Sequence, residues 1–285
     1  MVELLEEHVS TQNRRFVVRL ADGALVEAVR YRGDTLCVSC QVGCAVGCPF
    51  CASGAWGLAR PLTLDELTGQ VEAVEAREVG RGGSPLKRVT VSGIGEPLHN
   101  HGPVADFVAW CRCRAIRPSL TTSGGPVPRF RIWLRELPHN GITVSVHAGT
   151  EATRARAVPR GPALRDLFGA LSDELPGLSR SRRRRVSLAY LVVADLNDGD
   201  EEIEAFLDRA TPLGLDVHLF AYNPVPTSSH RPVSRTRYET IYARMVDRGL
   251  RVRMSCQARV EPNGGCGTLV ALRPGRVDTP TRAVT

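Results

Sequence analysis

Five of the nine cysteines in this 285-residue chain lie between residues 37 and 51, in the stretch CVSCQVGCAVGCPFC. Thiols at this density can pair as disulfides, ligate a structural zinc ion or hold an iron–sulfur cluster. A chain of this length with 42% hydrophobic residues can bury a full core, and nine is an odd number for a fully paired disulfide framework. We therefore expect reduced thiols that bind metal.

Two ligand sets can be drawn from these cysteines. The CxxC pairs at 37–40 and 48–51 would form a four-thiolate zinc site, although zinc ribbons usually place about a dozen or more residues between their pairs and this spacer is shorter. The other set is Cys44, Cys48 and Cys51, with the spacing C-x3-C-x2-C. It supplies three thiolates to a four-iron cluster and leaves one iron open to a bound molecule. The spacing favours the cluster, and the zinc site remains the alternative.

Strand and helix patterns alternate along the chain around these cysteines. Residues 15–31 alternate apolar and polar side chains about Asp22-Gly23, which predicts a β-hairpin. Thr63 and Glu66 match a capping box that predicts a helix to about residue 79. The other predicted strands are 35–39, 88–92, 116–122, 142–147, 186–193, 216–222 and 250–254, and the other predicted helices are near 102–114, 128–137, 162–173, 200–210 and 235–249.

The predicted strands are continuous apolar runs, which favours parallel strands covered by helices. We expect an α/β fold in which residues 32–270 form a partial (β/α)6, TIM-like barrel. Residues 1–31 would form an N-terminal extension with the hairpin, and residues 271–285 a disordered tail.

Glycine-rich or polar motifs follow several of these strands. They are GIGEP at 93–97, TTSG at 121–124, SVH at 145–147 and FAYNP at 220–224. Each is also compatible with ordinary turn chemistry. Because the carboxyl ends of parallel strands meet at one rim of a barrel, we expect the motifs to converge on one pocket that also contains the cysteines.

The cysteine spacing, with Phe50 before the last cysteine, resembles the radical-SAM superfamily, and in finer detail the chain resembles the RlmN/Cfr family of radical-SAM RNA methyltransferases. The matching segments include GIGEPLHN, ITVSVHAGTEATR, FAYNP and GGCGTL, and they extend from Glu27 to Leu269. The resemblance implies a radical-SAM barrel with one [4Fe-4S] cluster and S-adenosylmethionine as cofactors. The cluster ligands would be Cys44, Cys48 and Cys51, and the cofactor site would be lined by Gly95, Glu96, Thr121, Ser145, Val146, His147 and Asn223.

The resemblance also implies the catalytic residues. Cys266 would carry the methyl group as S-methylcysteine, Cys37 would attack its sulfur and form a disulfide as product leaves, and Glu27 would accept a proton. The product would be an adenine methylated at carbon 2 or carbon 8 in ribosomal or transfer RNA. A reductase such as flavodoxin or ferredoxin would supply electrons. Cys40 departs from the family, which has serine at that position.

The charge of the chain fits a polyanionic partner. The formal net charge is +7 and the pI about 9.1, with a basic run, RSRRRR, at 180–185. The run is equally compatible with a solvated loop. We expect a cytoplasmic protein, because the N-terminus has no signal-peptide pattern and no apolar run could span a membrane.

Two alternatives to RNA methylation follow from the sequence. Members of the family carry a further N-terminal domain, whereas few residues precede the hairpin here, which motivates a small metabolite or peptide as substrate for the same chemistry. The other alternative is a non-catalytic, zinc-binding protein that associates with nucleic acid through the basic run and the CxxC pairs.

Overall fold

The computed structural model describes residues 2–254 and 267–271. Its strands are β1 Glu3–Val9, β2 Asn13–Arg19, β3 Leu25–Tyr31, β4 Thr35–Val38, β5 Gln41–Gly43, β6 Leu58–Pro61, β7 Arg88–Val91, β8 Arg117–Thr122, β9 Gly141–Ser145, β10 Val186–Val192, β11 Asp216–Ala221 and β12 Arg251–Met254. Its α-helices are α1 Leu64–Val79, α2 His101–Cys113, α3 Val127–Arg135, α4 Glu151–Ala157, α5 Leu164–Glu174, α6 Arg180–Arg183, α7 Asp200–Ala210, α8 Arg235–Asp247 and α9 Thr268–Ala271.

Ten strands form one sheet in the order β1-β2-β3-β4-β7-β8-β9-β10-β11-β12. From β4 to β12 all neighbours are parallel, whereas β1, β2 and β3 pair antiparallel at one end. The predicted parallel α/β architecture is therefore confirmed. In the part of the chain that the structure describes, β1 and β12 are not paired with each other, so the sheet is open rather than a closed barrel. No helix in this part is long and apolar enough to cross a membrane.

Local signals set the helix and strand boundaries that the sequence predicted. Thr63 caps α1: its hydroxyl accepts from the Glu66 N–H, and the Glu66 carboxylate accepts from the Thr63 N–H, so the predicted capping box is present. Parallel strands of apolar residues such as Val186–Val192 are buried on both sides, as strands covered by helices must be.

Several features were not predicted from the sequence. The N-terminal hairpin gains a third strand, β1, which is missed because its run ELLEEHV is charged and largely solvent-exposed. The small two-stranded sheet of β5 and β6 lies within the cysteine region. The helix α4, capped by Thr150, lies inside the motif at the end of β9, and the short helices α6 and α9 are further additions.

The arginine run at 180–185 lies at the amino-terminal edge of the parallel sheet, immediately before β10. Arg182 donates to the carbonyl oxygens of Trp133, Leu134 and Leu137, at the C-terminal end of α3. Arg185 donates to the His139 carbonyl. Part of the run therefore satisfies helix-end and loop carbonyls, which is neither of the two roles that the sequence suggested.

Candidate active site

The three predicted cluster ligands lie in the segment between β4 and α1. Cys44, Cys48 and Cys51 are half-buried, free thiols. The Cys44 N–H donates to the Gly57 carbonyl at 2.9 Å, and the Cys51 N–H donates to the Cys48 carbonyl at 3.1 Å. The thiols pack against a small apolar cluster, which we call the rim cluster and which consists of Val46, Phe50, Ala157, Val158, Val193, Leu196 and Tyr222.

These surroundings make the thiols poor free nucleophiles. Burial raises the pKa of Cys44 to about 12 and raises that of Cys48 as well, and a neighbouring thiol, Cys51, adds to both shifts. A cysteine ligates metal as the thiolate, and a bound metal stabilises that form. Cys44 and Cys48 are therefore protonated when no metal is bound, and a metal that binds them must replace those protons.

The spacing of the ligands separates a cluster from a single zinc ion. Cys44, Cys48 and Cys51 follow C-x3-C-x2-C, and an iron–sulfur cluster binds each thiolate through a different iron. Among residues 2–254 and 267–271, no group of three or more His, Cys, Asp or Glu side chains is arranged to hold a single metal ion.

Gly95 occupies a position that no other residue fits. Its φ is +117°, and a Cβ built there would lie 2.8 Å from the Cys40 sulfur and 2.8 Å from the Gln41 side chain. The same contact accounts for Cys40. Its side chain is buried beneath the glycine, and the Cys40 backbone N–H donates to the Ile94 carbonyl at 2.8 Å. Cys40 is therefore a packing residue under the turn.

Glu96 is buried, and its carboxylate is held by groups from two segments. It accepts from the Leu98 N–H at 3.1 Å, from the Ser123 N–H at 2.7 Å and from the Thr122 hydroxyl. These contacts orient the carboxylate and leave acceptor capacity for a further donor. Thr121 lies on the face of β8 opposite to Thr122, in register with Thr143 of β9. The predicted cofactor role of Thr121 is therefore independent of the hydrogen bonds that hold Glu96.

The motif Ser145-Val146-His147 follows β9. His147 has φ of +55°, its Nδ1 accepts from the Leu191 N–H at 3.0 Å, and its ring meets that of Phe50 edge-on at 5.6 Å. Burial, with a further contribution from the charge of Arg154, lowers the pKa of His147 to about 3. The imidazole is therefore neutral near neutral pH.

Asn197 fixes this turn and was not singled out from the sequence. Its amide donates to the His147 carbonyl at 2.8 Å and to the Leu191 carbonyl at 2.7 Å, and its oxygen accepts from the Val193 N–H at 2.8 Å. The side chain is 1% exposed, so these bonds are shielded from water. A polar residue just beyond an apolar strand is the only sequence signal for it.

Arg154 of α4 is the second residue that sequence reasoning missed. Its side chain is 2% exposed, and burial lowers its pKa to about 10, against the opposing fields of Cys48 and Glu96, so it is a cation at neutral pH. Its guanidinium ties the ends of β8 and β9 together. It donates to the carbonyls of Ser123 at 2.8 Å, Ser145 at 2.7 Å, Val146 at 2.7 Å and Pro162 at 3.0 Å.

Glu27 on β3 connects the N-terminal strands to the end of the described chain. Its buried carboxylate accepts from the Gly267 N–H at 3.1 Å and from the Val270 N–H at 2.9 Å. Burial raises the pKa of Glu27, while these N–H groups oppose the shift. A glutamate on a hairpin is ordinarily exposed to solvent. The burial of Glu27 therefore indicates a specific role for its carboxylate.

Gly267 lies between Glu27 and the turn that follows Cys51. Its φ is +81°, and a Cβ built there would lie 2.7 Å from the Ser53 hydroxyl and 2.8 Å from the Ser53 nitrogen. Cys266 itself lies outside the described residues, but its immediate neighbour is thus in contact with the cysteine segment.

Cys37 lies on β4, apart from the three predicted ligands. Its thiol is buried, between Val29 of β3 and Thr90 of β7 in the sheet register, and its sulfur lies 3.2 Å from the Ser92 hydroxyl. Cys37 is thus not part of the segment that carries the three predicted ligands. Asn223, the last predicted site residue, is half-buried after β11.

Three buried polar atoms near the carboxyl ends of the strands have no hydrogen-bond partner within the described residues. They are the Gln41 amide nitrogen, the Ser123 hydroxyl and the Tyr222 hydroxyl. An unpaired buried donor costs roughly 1–3 kcal/mol, which a bound ligand with acceptor atoms would recover. His139 and Thr211 at the opposite edge also hold unpartnered atoms, so these atoms support a ligand site only together with the cysteines and Gly95.

Comparisons with known proteins place the chain in a family. No family model matches it. It is 33% identical over 281 residues to the probable dual-specificity RNA methyltransferase RlmN of Desulforudis audaxviator, covering 94% of this chain and 86% of that protein. It is 32% identical to the dual-specificity RNA methyltransferase RlmN 1 of Myxococcus xanthus, covering 94% and 77% of the two chains.

Solved structures agree with these relatives. A radical SAM methyltransferase from Sphaerobacter thermophilus superposes with a TM-score of 0.84 at 29% identity, covering 94% of this chain and 80% of that one. Archaeal TYW1 superposes with a TM-score of 0.54 at 10% identity, which is a likeness of fold alone. The chain belongs to the RlmN-type family of radical-SAM RNA methyltransferases.

Proposed function

We propose that this protein is a radical S-adenosylmethionine methyltransferase that methylates an sp2 carbon of an adenine in ribosomal or transfer RNA. The observation that carries the proposal is the position of Gly267, which is held by Glu27 and lies against Ser53 beside the cysteine segment. Two segments that are distant in sequence thereby meet, and this contact supports a site to which the Cys266 segment and the cysteine segment both contribute.

Cys44, Cys48 and Cys51 would hold the [4Fe-4S] cluster at the carboxyl end of β4. The cluster, when bound, supplies the electron for one-electron cleavage of S-adenosylmethionine. Glu96, oriented by Thr122 and Ser123, offers an acceptor to the cofactor's ammonium group. The remaining cofactor contacts would come from Gly95, Thr121, Ser145, Val146, His147 and Asn223.

An aromatic carbon that carries hydrogen is a weak nucleophile, so direct displacement of a methyl group from a sulfonium is unfavourable. The Cys266 thiolate would first accept a methyl group by displacement at the methyl carbon of S-adenosylmethionine, with S-adenosylhomocysteine as leaving group. A hydrogen atom would then be lost from the S-methyl group to the radical that the cofactor supplies, and the methylene carbon would bond to the base carbon. Loss of one electron and of the proton on that carbon, taken by Glu27, would restore the aromatic ring, and the raised pKa of Glu27 suits a proton acceptor. Cys37 would attack the Cys266 sulfur, forming a disulfide, and the released carbon would take up a proton to become the methyl group of the product.

We further propose a flavodoxin- or ferredoxin-type reductase as electron donor and the cytoplasm as the location of the protein. Both follow from the proposed chemistry, because thiols and a cluster of this kind need a reducing compartment.

The experiment compares methylated nucleosides in total RNA from cells that contain the protein, lack it, or contain Cys266→Ala. RNA from cells with the wild-type protein should contain an additional methyladenine, and RNA from the other two should not. Mass spectrometry of the wild-type protein should also find a methyl group on Cys266. An unchanged nucleoside profile together with a methylated Cys266 would keep the chemistry and assign it to a small metabolite or a peptide.

A further inference from the structure

Tyr222 has a buried hydroxyl without a protein partner. The residue follows β11 and is 2% exposed, and its hydroxyl has no hydrogen-bond partner within the described residues. Two other buried or half-buried tyrosines are satisfied: the Tyr190 hydroxyl donates to the Asn197 carbonyl at 2.6 Å, and the Tyr238 hydroxyl donates to the Leu219 carbonyl at 2.7 Å. Buried tyrosine hydroxyls usually find such a partner, so Tyr222 needs an explanation.

The surroundings of Tyr222 narrow the possible acceptors. It belongs to the rim cluster, whose other members are aliphatic residues and Phe50, none of which has an acceptor side chain. The thiols of Cys44, Cys48 and Cys51 pack against this same cluster. The His147 ring also meets Phe50, but its Nδ1 already accepts from the Leu191 N–H. A group that the three cysteines hold is therefore an acceptor that shares the surroundings of the phenol.

We propose that the Tyr222 hydroxyl donates a hydrogen bond to a sulfur atom of the cluster bound by Cys44, Cys48 and Cys51, and so raises the reduction potential of that cluster. The proposal rests on the proposed function, because it requires the cluster. Reduction adds negative charge to the sulfur atoms, so a hydrogen bond to sulfur stabilises the reduced cluster more than the oxidised one. Such bonds are among the means by which proteins set cluster potentials.

The test is Tyr222→Phe, which removes one oxygen atom and keeps the ring in the rim cluster. Protein reconstituted with iron and sulfide is titrated with reductant, without S-adenosylmethionine, and the reduced cluster is followed by electron paramagnetic resonance. We expect the equilibrium constant for reduction to fall about tenfold, which for one electron is ~59 mV toward more negative potential. Iron–sulfur stretching bands should shift on exchange into deuterated water in the wild type and shift less in the variant.

Tyr238→Phe is the matched control, because it removes a phenol oxygen from α8 and leaves the rim cluster unchanged; its potential should equal that of the wild type. Since the Tyr222 hydroxyl has no partner among residues 2–254 and 267–271, Tyr222→Phe apoprotein should unfold at the same temperature as wild-type apoprotein or higher.

Two outcomes would overturn the inference without touching the proposed function. One is an unchanged potential in Tyr222→Phe with a full complement of iron, and the other is a change that occurs only after S-adenosylmethionine is added, which would identify the cofactor as acceptor. A wild-type protein that forms no cluster at all would instead refute the proposed function.

Discussion

At the amino-terminal edge of the parallel sheet, arginine side chains donate hydrogen bonds to backbone carbonyls. At the carboxyl edge, by contrast, buried donors have no partner within the described residues and are available to a ligand. Arg182 contacts three carbonyls at the end of α3. At the opposite edge, Gln41, Ser123 and Tyr222 hold polar atoms that have no hydrogen-bond partner within the described residues. Part of the most densely charged run in the sequence is thus bonded to the protein's own backbone.

A high density of exposed charge at one edge of a sheet therefore does not by itself identify a binding site. Arg154, a buried cation at the carboxyl edge, also binds carbonyls, but it lies in the field of Cys48 and Glu96. Arg154 is therefore associated with the candidate active site by its position near those two groups and not by its charge alone.

Replacing Cys48 with serine should abolish cluster assembly, because only two thiolates would remain at the carboxyl edge. Iron in anaerobically reconstituted protein should fall to background, and methyl transfer should be lost. Cys113→Ser is the control, since this thiol is exposed on α2 and should leave iron content unchanged. Equal loss of iron in both variants would show that the reconstituted iron is not held at this edge.

Gly95→Ala should destabilise the carboxyl edge of the sheet. The added Cβ would overlap the Cys40 sulfur and the Gln41 side chain at a φ of +117°. We expect a loss of about 2–4 kcal/mol in the free energy of unfolding, measured by urea denaturation of the apoprotein.

Gly102→Ala in α2 is the matched control. Nothing lies within 4 Å of a Cβ built there, so a helix position gains an alanine without overlap. The free energy of unfolding should rise, by up to about 1 kcal/mol. If Gly95→Ala and Gly102→Ala behave alike, the turn around Gly95 is not closely packed.

The sequence predicts the parts of the molecule that local patterns determine. The alternation of strands and helices and the Thr63 capping box follow from neighbouring residues, and both are confirmed. The burial of Glu27 depends on residues 240 or more positions away, which no local pattern records. Likewise, Cys40 is explained only by Gly95, and Arg154 only by carbonyls from two strand ends, so neither role could be derived before the fold was known.

Glu27→Gln should change how stability depends on pH. Burial raises the pKa of Glu27 above its ordinary value of 4.5, so the protonated carboxyl is favoured in the folded protein. Its contribution to folding is fully present below about pH 4.5 and is lost as pH rises through the folded-state pKa.

The glutamine variant has no such loss. The free energy of unfolding of the wild type relative to Glu27→Gln should therefore decrease with rising pH, by about 1.4 kcal/mol per pH unit within that window. Urea denaturation at a series of pH values measures it, with the exposed Glu72→Gln as control. A difference that is constant across pH would mean that the carboxyl titrates alike in the folded and unfolded chains.

Arg182→Ala tests the amino-terminal edge and should have the smallest effect. The substitution removes donors from the carbonyls of Trp133, Leu134 and Leu137, and because the side chain is half-buried, water can replace part of these bonds. We expect a loss of about 1–2 kcal/mol in the free energy of unfolding, and no change in affinity for RNA either in this variant or in Arg180→Ala, an exposed neighbour. Binding is measured by titration at fixed salt, because phosphate contacts weaken as salt rises. If both variants bind RNA much more weakly, the arginine run is part of the RNA surface and the contrast between the two edges does not hold.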